Sequence, residues 1–248
     1  FDGMHVGHRA LLARAKEIAE KQNLLVGVMT FYDSKNGGQV YTFGERLYLF
    51  EKLGADFAFA ARFDDSFRAT DGREFLNRIA RSLEVRAFVC GADFTFGRGA
   101  ACGAEELRAF CAERNIQAEI LPLVRLHGEK AAATLAKQYL AGGEVEKLAE
   151  LLGDKYFIRG EVATEGRHVG RTIGFPTANI HLSPEKYPLK TGVYAVTAAI
   201  GGQPYRGIAN YGSRPTFGDG RTVLEVYADG YAGDLYGQTI TVYFDEFI

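Results

Sequence analysis

The sequence of 248 residues predicts two successive fold classes, an α/β domain with a parallel sheet and then an all-β antiparallel sheet or small barrel. Up to about Gly153, apolar residues at helical spacing alternate with short continuous apolar runs, which is typical of helices that connect buried parallel strands. From Tyr156 onward, apolar and polar residues alternate with period two between Gly-rich turns, which indicates antiparallel strands. We therefore predict domains over residues 1–153 and 154–248.

The elements of the first domain follow one another in the order expected of a doubly covered sheet. Helical spacing is found at 8–22, 44–53, 72–83 and 103–115, and buried strand patterns at 24–31, 57–63, 86–91 and 118–123. In the second domain the clearest strand patterns are 192–200, 205–212, 222–228 and 238–244. The sequence begins inside a motif and ends inside a strand pattern, so we expect that both ends are cut.

Composition excludes several classes of protein. The net charge of -2 argues against a broad nucleic-acid surface, and no apolar run approaches the ~20 residues of a membrane span. No signal peptide is visible, and Cys90, Cys102 and Cys111 form no C-x-x-C pair, so they are interpreted as reduced thiols. We expect a cytoplasmic protein with small-molecule partners, no nucleic acid and no membrane, and leave its oligomeric state open.

The first motif, "FDGMHVGH", stands immediately before a helical pattern. A helix N-terminus at the edge of a parallel sheet offers N–H groups and positive dipole charge to phosphate. Gly3 and Gly7 would let the backbone approach a nucleotide closely, and His5 and His8 would donate to phosphate oxygens. The alternative is a helix start that carries two exposed histidines.

This segment resembles the H-x-G-H signature of Rossmann-like nucleotidyltransferases and, as F-D-G-x-H-x-G-H, the FAD synthetase module of bacteria. "GADFTFG", residues 91–97, is similar to that family's G-x-D-F-x-F-G. The resemblance implies a Rossmann-like domain that adenylylates FMN to FAD with ATP. It implies catalytic roles for His5 and His8, ATP contacts from Gly3, Gly7 and Asp93, and flavin contacts from Asp93 and Phe94.

A third element departs from the family pattern. Where the family carries I-S-S-T-x-I-R, this sequence has "AAATLAK", residues 131–137. Thr134 is retained, Ala132 and Ala133 replace two serines, and Lys137 replaces the arginine. Alanine has no hydroxyl to offer phosphate, and lysine lacks the bidentate fork of arginine. Thr134 and Lys137 are candidate ATP contacts, and the departures make an impaired adenylyltransferase the second hypothesis.

The second motif lies in "GEVATEGRHVGRTIGFPTANI", residues 160–180. Successive glycines with Arg171 favour phosphate binding by backbone N–H groups and positive charge. Thr177 and Asn179 are two residues apart on a strand and present oxygens that suit Mg²⁺. A Gly-rich hairpin with local hydrogen bonds is the structural alternative.

The stretch resembles the riboflavin kinase signature, and "GVYAV", "ANYGSRPTF", "LEV" and "DLYG" resemble later segments of that family in the same order. The resemblance implies a six-stranded barrel that phosphorylates riboflavin with Mg²⁺ and ATP. It implies Glu225 as the general base and Thr177 and Asn179 as metal and phosphate contacts. The implied ATP contacts also include Gly166, Gly170, Arg171, Gly174 and Pro176, and the implied flavin contacts are Asn210, Arg214 and Tyr236.

Glu225 also has a plain structural interpretation. Between Leu224 and Val226 it fits simple alternation as an outward strand residue. Phosphoryl transfer, in turn, needs one carboxylate to take a hydroxyl proton. Tyr194, Tyr211 and Phe217 are candidates for stacking on a flavin ring, although most of the aromatic residues will be core.

Three functions stay open at this point. The leading hypothesis is a bifunctional riboflavin kinase and FAD synthetase with Mg²⁺, ATP, riboflavin, FMN and FAD as cofactor, substrates and products. The second is a riboflavin kinase with an impaired adenylyltransferase domain. The third is a non-catalytic flavin or nucleotide sensor, which the intact Thr177, Asn179 and Glu225 disfavour.

Overall fold

The computed structural model of the chain describes residues 1–32, 38–164, 177–213 and 222–248. The chain divides into two compact units. Unit 1 comprises Phe1–Asn36 and Arg46–Ala132, and unit 2 comprises Gly37–Glu45 and Ala133–Ile248. No helix within the described ranges is long and apolar enough to cross a membrane.

Unit 1 alternates helices and strands as the sequence predicts. Its elements are α1 (Val6–Gln22), β1 (Gly27–Phe31), α2 (Phe43–Lys52, which starts in unit 2), β2 (Phe57–Ala61), α3 (Asp65–Arg68), α4 (Gly72–Leu83), β3 (Ala87–Gly91), a 3₁₀ turn (Arg98–Ala100), α5 (Ala104–Ala112), β4 (Gln117–Leu121), β5 (Arg125–Leu126) and β6 (Glu129–Lys130). The pairs β1–β2 and β3–β4 are parallel, and α2 and α5 are their crossover helices. The predicted α/β class with parallel strands is confirmed.

Local sequence signals set the ends of these helices. Asp71 caps α4, because its carboxylate accepts from the N–H groups of Arg73 and Glu74 at 2.9 and 3.2 Å. The helix ends where Glu84 adopts a left-handed φ of 48°. On its inner face, Leu76 packs in a core cluster with Leu107 of α5. The cluster also holds the free thiols of Cys90 and Cys111, and burial raises the pKa of Cys90 to about 11.

In its described residues, unit 2 contains the helices that follow Ala132 and a six-stranded antiparallel sheet. Its elements are α6 (Ala133–Gly142), α7 (Val145–Leu152), β7 (Phe157–Glu161), β8 (Thr177–His181), β9 (Gly192–Ile200), β10 (Gln203–Ser213), β11 (Thr222–Ala228) and β12 (Thr239–Phe247). The strand order is β7-β12-β9-β10-β11-β8. The two outer strands approach each other through a bridge between Val162 and Ile180, and the Ala163 N–H donates to the Asn179 carbonyl at 2.7 Å. The sheet is therefore almost closed, and the predicted barrel is confirmed.

Alternation along the strands separates a core face from an outer face. Leu224 and Val226 of β11 are at most 1% exposed and face the core, as do Tyr194 of β9 and Ala209 of β10. Residues that alternate with these lie on the outer face of the sheet. The faces of the barrel therefore follow from the period-two pattern that the sequence shows.

α6 and α7 are grouped with the barrel strands in unit 2. The helical spacing that continues to Gly153 instead predicts that they belong to the first domain. The boundary between the two domains after residue 153 stays a prediction.

The start of α2 is fixed within unit 2 by a buried carboxylate. Glu45 accepts from the Thr42 N–H at 2.8 Å, and the Glu45 N–H contacts the Thr42 hydroxyl at 3.3 Å, which together form a capping box. The same carboxylate accepts from the Arg159 N–H at 2.9 Å and from Lys186 Nζ at 2.5 Å. The side chains of Glu45 and Lys186 are only 2% and 5% exposed, so this ion pair is buried.

Candidate functional sites

The first candidate site, called here the histidine site, lies at the N-terminus of α1 and consists of His5, His8, Asp93 and Lys130. His5 precedes the helix in extended conformation, and its side chain makes no capping hydrogen bond. The first turn of α1 also contains no acidic residue. The positive end of the helix dipole is therefore left without a side-chain counter-charge of its own, which favours an anionic ligand.

The two imidazole rings form a stacked, largely buried pair. Their centroids are 3.8 Å apart with an interplanar angle of 23°, and His5 is 8% exposed. Gly7 lies close against this pair, because a Cβ at that position would lie 3.1 Å from the His5 ring, which is tighter than ordinary van der Waals contact. The Nδ1 atoms of both rings are buried without a hydrogen-bond partner in the part of the chain that the structure describes. Two polar atoms are thus left for a ligand.

Burial keeps both histidines neutral. Loss of solvation lowers the pKa of His5 to about 4 and holds the pKa of His8 well below its ordinary value. At neutral pH each ring therefore carries one N–H donor and no charge. These rings can donate hydrogen bonds to phosphate oxygens, but they do not supply positive charge.

Positive charge comes from a residue that the sequence analysis missed. Lys130, on β6, forms an ion pair with Asp93, and the charges of both residues act on His5. Arg125 is the register partner of Lys130 in the β5–β6 hairpin. The sequence signal was the turn "HGEK", in which Gly128 has a φ of 86°. Nothing local in that turn indicates that it lies beside Asp93, 37 positions earlier.

The remaining residues predicted to contact ATP or flavin in the adenylyl transfer lie in both units. Gly3 is buried within the motif. Phe94 stacks on Phe96 with a centroid distance of 5.3 Å and packs partly against the unit 1 core. Thr134 and Lys137 are on α6 in unit 2. The side chain of Thr134 is exposed, and Nζ of Lys137 lies 5.4 Å from the centre of the Tyr187 ring. The structure thus brings His5, His8, Gly7 and Asp93 together, and places Thr134 and Lys137 in the other unit.

The second candidate site, called here the Glu225 site, consists of Thr177, Asn179, Asn210 and Glu225 on the outer face of the barrel. Glu225 of β11 is the direct cross-strand partner of Asn179 on β8 and of Asn210 on β10. Direct partners in antiparallel strands project their side chains to the same face, about 5 Å apart. Three polar side chains on three neighbouring strands therefore form a row.

One side-chain oxygen of the Glu225 site has no hydrogen-bond partner among the described residues. The Thr177 hydroxyl donates to Glu225 Oε1 at 2.9 Å. The Oδ1 atom of Asn179 is buried, and no atom of the described residues is its hydrogen-bond partner. An unpartnered buried oxygen beside a hydroxyl and a carboxylate is an oxygen-ligand set of the kind that Mg²⁺ prefers. The residues present therefore fit a magnesium ion.

The predicted flavin contacts of this unit are only partly described. Asn210 is exposed on the outer face. Tyr236 is half-buried in the turn before β12, and the Gly237 N–H of that turn donates to the Val162 carbonyl at 2.9 Å. Arg214 lies outside the described residues, as do Phe217 and the predicted phosphate contacts Gly166, Gly170, Arg171, Gly174 and Pro176.

Two of the aromatic candidates for stacking are wrong. Tyr194 is 0% exposed and donates its hydroxyl to the Lys190 carbonyl at 2.6 Å. Tyr211 is 5% exposed, and its hydroxyl accepts from the Leu189 N–H at 3.1 Å. Both side chains face the barrel core, because their positions fall on the inner phase of the strand alternation.

Comparison with protein families gives two matches in chain order. A model described as FAD synthetase matches residues 1–135, and a model described as riboflavin kinase matches residues 152–248. The resemblance inferred from the motifs is thereby confirmed. The histidine site lies within the first match, and the Glu225 site lies within the second.

Similar proteins match nearly the whole chain. A Bacillus subtilis (strain 168) protein is 31% identical over 256 residues, covering 98% of this chain and 80% of its own. An Escherichia coli (strain K12) protein is 35% identical over 252 residues with the same two coverages. Both are named bifunctional riboflavin kinase/FMN adenylyltransferase.

A solved structure agrees in fold. The crystal structure of a protein from Streptococcus pneumoniae, described as a macrolide-efflux protein, superposes with a TM-score of 0.85 at 31% identity. The superposition covers 100% of this chain and 83% of the other. The fold of the chain is therefore shared with an experimentally determined structure.

Proposed function

Because the chain belongs to the bifunctional riboflavin kinase/FMN adenylyltransferase family, we propose that it carries out both reactions of flavin cofactor synthesis. One ATP transfers its γ-phosphoryl group to the 5′-hydroxyl of riboflavin, which gives FMN and ADP. The phosphate of FMN then attacks the α-phosphorus of a second ATP, and FAD forms as pyrophosphate leaves. The single observation that carries the kinase half is the row Asn179–Glu225–Asn210 with Thr177 bound to Glu225.

In the kinase reaction, Glu225 is proposed as the general base. Its carboxylate accepts the proton of the riboflavin 5′-hydroxyl as the oxygen attacks the γ-phosphorus. The Thr177 hydroxyl already donates to one carboxylate oxygen at 2.9 Å, and this bond holds the Glu225 side chain in one orientation for the substrate. Glu225 is half-buried, so substrate reaches it from the outer face of the barrel.

Thr177 and Asn179 are proposed to hold Mg²⁺ with the phosphates of ATP. The buried, unpartnered Oδ1 of Asn179 supports this role, since such an oxygen gains a partner when a cation binds. Bound Mg²⁺ would neutralise charge on the β- and γ-phosphates. Thr177 links this position to Glu225, so metal binding and the orientation of the base are coupled.

In the adenylyl transfer, His5 and His8 are proposed as neutral hydrogen-bond donors to phosphate oxygens. Their charge-free state follows from burial, so stabilisation of the growing negative charge depends on Lys130 and the α1 dipole. A phosphate bound beside the rings would raise their pKa values, because an anion favours the protonated imidazole. Asp93 is proposed to position Lys130 and to contact the nucleotide.

The second hypothesis, a kinase with an impaired adenylyltransferase, is motivated by "AAATLAK". Ala132 directly precedes α6, where a serine would cap the helix, and the side chain of Lys137 cannot form a bidentate pair. Its test is restoration by Ala132→Ser, Ala133→Ser and Lys137→Arg together. A several-fold rise in FAD formation from FMN would show impairment, whereas an unchanged rate would show that these departures are tolerated.

The proposed function is tested by incubating the purified protein with riboflavin, ATP and Mg²⁺ and resolving the flavins by chromatography over time. We expect FMN to appear first and FAD to follow, and chelation of Mg²⁺ to stop FMN formation. FMN without FAD would support the second hypothesis. Saturable flavin binding without turnover of ATP would overturn the enzyme assignment and favour a sensor.

A further inference from the structure

We propose that unit 1 contains a second anion-binding site, in a cleft outside both sequence motifs, which takes a small organic phosphate. The cleft, called here the arginine cleft, has a volume of about 390 Å³ and lies where α4 leads into β3 and α5 leads into β4. The two junctions are side by side, because the Gln117 N–H donates to the Arg86 carbonyl at 2.9 Å. The side chains that can donate to a phosphate group there are Asn77, Arg81, Arg86, Arg114 and Asn115.

The arginine cleft is separate from the histidine site of the same unit. Arg86 immediately precedes β3, whereas Asp93 of the histidine site follows the carboxyl end of that strand. The strand has five residues, so its two ends lie about 16 Å apart. A molecule bound at the amino end of β3 therefore does not occupy the position of a phosphate bound beside His5.

The first line of evidence is that two arginines of the cleft have no counter-ion within the described part of the chain. Arg81, in the last turn of α4, and Arg86 are both exposed, and neither forms an ion pair there. By contrast, Arg73 and Arg78 on the exposed face of α4 are each paired with a glutamate. Uncompensated positive charge is thus concentrated in the cleft rather than spread along the helix.

The second line is that Arg114 is held in one orientation before any ligand binds. Its guanidinium carbon lies 3.9 Å from the centre of the Phe110 ring, and the group donates to Asn77 Oδ1 at 2.8 Å. Glu113 contacts Arg114 at 3.3 Å but is already paired with Arg73. Because only the amide oxygen can accept from an arginine, the NH₂ group of Asn77 is left to donate. An arginine fixed in this way loses less conformational freedom when it binds an anion.

The charge balance of the cleft is positive even after local negative charges are counted. Glu84 contributes one carboxylate to the lining, and the C-terminal ends of α4 and α5 each carry roughly half a negative charge. Arg81 and Arg114 together are enough to balance these charges. Arg86 then supplies a surplus of roughly one positive charge, which the ends of the two helices do not require.

The lining of the cleft favours a small organic phosphate over a macromolecule. Guanidinium and amide N–H groups bind phosphate oxygens, and the cleft has the size of a small-molecule site. Ala80, Val85 and Ile116 add an apolar part, which suits a ring attached to the phosphate. A nucleic acid would instead require a broad basic surface, and the neighbouring Arg73 and Arg78 are neutralised. A nucleoside monophosphate has both the phosphate and the ring, so AMP is the probe.

Labelling of individual arginines tests the proposal in the whole protein. Phenylglyoxal modifies accessible guanidinium groups, and mass spectrometry of peptides measures the rate at each arginine with and without AMP. We expect saturating AMP to slow the modification of Arg81 and Arg86 by about fivefold or more, because a bound ligand shields them. Arg108, which is exposed on α5 but does not line the cleft, should react at the same rate in both samples. Equal effects of AMP on all three arginines overturn the proposal.

Substitution of the two arginines without counter-ions gives a second measurement. Calorimetric titration with AMP counts the molecules bound, which include any at the proposed nucleotide sites. In the double variant Arg81→Gln, Arg86→Gln we expect this number to fall by one, whereas the matched control Arg108→Gln should bind as many as the wild type. The midpoints of thermal unfolding of the two variants should be close, since no buried contact is lost in either. An unchanged number of bound AMP molecules in the double variant overturns the proposal.

Two further probes separate an organic phosphate from its alternatives. We expect AMP to protect Arg81 and Arg86 at lower concentrations than inorganic phosphate does, because the apolar lining adds to the affinity. Equal protection by the two would overturn the assignment of an organic phosphate. Protection by heparin without protection by AMP would assign the cleft to a macromolecular polyanion and overturn the proposal. None of these measurements requires turnover, so a protein that forms neither FMN nor FAD still decides the question.

Discussion

At the scale of the residue, Glu225 shows how one position satisfies both a structural and a chemical requirement. Its neighbours Leu224 and Val226 fill the barrel core, so alternation alone places Glu225 on the outer face. The interpretation of Glu225 as an outward-facing strand residue is therefore correct. Glu225 also accepts a hydrogen bond from Thr177 and lies between the amide side chains of Asn179 and Asn210. A glutamate that only faces solvent on a strand does not require these polar neighbours.

Glu225→Gln is the direct test of the proposed base. The amide still accepts from Thr177, so we expect the fold to be retained while kcat for FMN formation falls about a hundredfold to ten-thousandfold, because no proton acceptor remains. The KM values should change little. Steady-state kinetics check this, with Glu161→Gln, an exposed glutamate on β7, as control. A variant with wild-type kcat would remove Glu225 from the mechanism.

His5 predicts a pH dependence of stability. Its folded-state pKa of about 4 lies below the ordinary 6.5, so between these values the unfolded chain binds the proton that the folded chain excludes. Stability is full above the ordinary pKa and is lost as the pH falls toward the folded one. Over the range from about pH 7 to about pH 5 we expect a loss of about 2 kcal/mol from His5.

Urea denaturation at the two pH values measures this loss. His5→Asn removes the titrating group, so its free energy of unfolding should depend less steeply on pH than that of the wild type. His127→Gln, at an exposed hairpin turn, is the matched control and should keep the wild-type slope. Equal slopes in His5→Asn and the wild type would contradict a buried, neutral His5.

At the scale of the element, the start of α2 depends on one glutamate with four polar contacts, three of them made by its carboxylate. Glu45 completes the capping box with Thr42, accepts from the Arg159 N–H and pairs with Lys186, all within unit 2. Lys186 is further surrounded by the faces of Tyr41 and Tyr156, whose centroids are 5.4 and 5.1 Å from its Nζ. Removal of Glu45 would therefore leave a buried ammonium among aromatic rings.

We expect Glu45→Ala to destabilise the protein by about 3–5 kcal/mol, because the buried charge of Lys186 loses its counter-ion. The double variant Glu45→Gln, Lys186→Met should recover part of this loss, since neither member of the pair is then charged. Chemical denaturation measures both. Glu105→Ala, which breaks an exposed pair with Arg108, should cost less than about 1 kcal/mol. A Glu45→Ala variant as stable as Glu105→Ala would show that the pair contributes little.

At the scale of the whole molecule, the two proposed reactions are assigned to different units. The histidine site lies in unit 1 and the Glu225 site in unit 2, and the two family matches divide the chain between them in the same order. The residues proposed to act directly in each reaction, His5 and His8 for one and Glu225 for the other, therefore lie in different units. This assignment predicts that the two activities can be removed separately.

We expect the double variant His5→Asn, His8→Asn to form FMN from riboflavin at the wild-type rate but to lose FAD formation by about a hundredfold or more, because the phosphate donors are gone. Glu225→Gln should lose FMN formation from riboflavin but should form FAD at the wild-type rate when FMN is supplied. Chromatographic assays with riboflavin or FMN as the starting flavin distinguish the two variants. Loss of both activities in either variant would contradict separate sites.

The sequence by itself determined the fold class, most strand positions and both motif-bearing segments. Helical and period-two spacing are local properties, and so the strands 192–200 and 222–228 and the helix 72–83 coincide with observed elements. The motifs likewise name His5, Glu225 and Asn179 without structural information. Their chemistry is set by residue type and by neighbours close in the chain.

Only the tertiary structure decided which residues meet. Lys130 joins Asp93 and His5, and Asn179 and Asn210 flank Glu225, through contacts between segments far apart in the sequence. It also decided that Tyr194 and Tyr211 face the core, and that burial keeps His5 and His8 neutral. The physical reason is that strand register and loss of solvation are fixed by non-local packing, which a pattern along one segment does not encode.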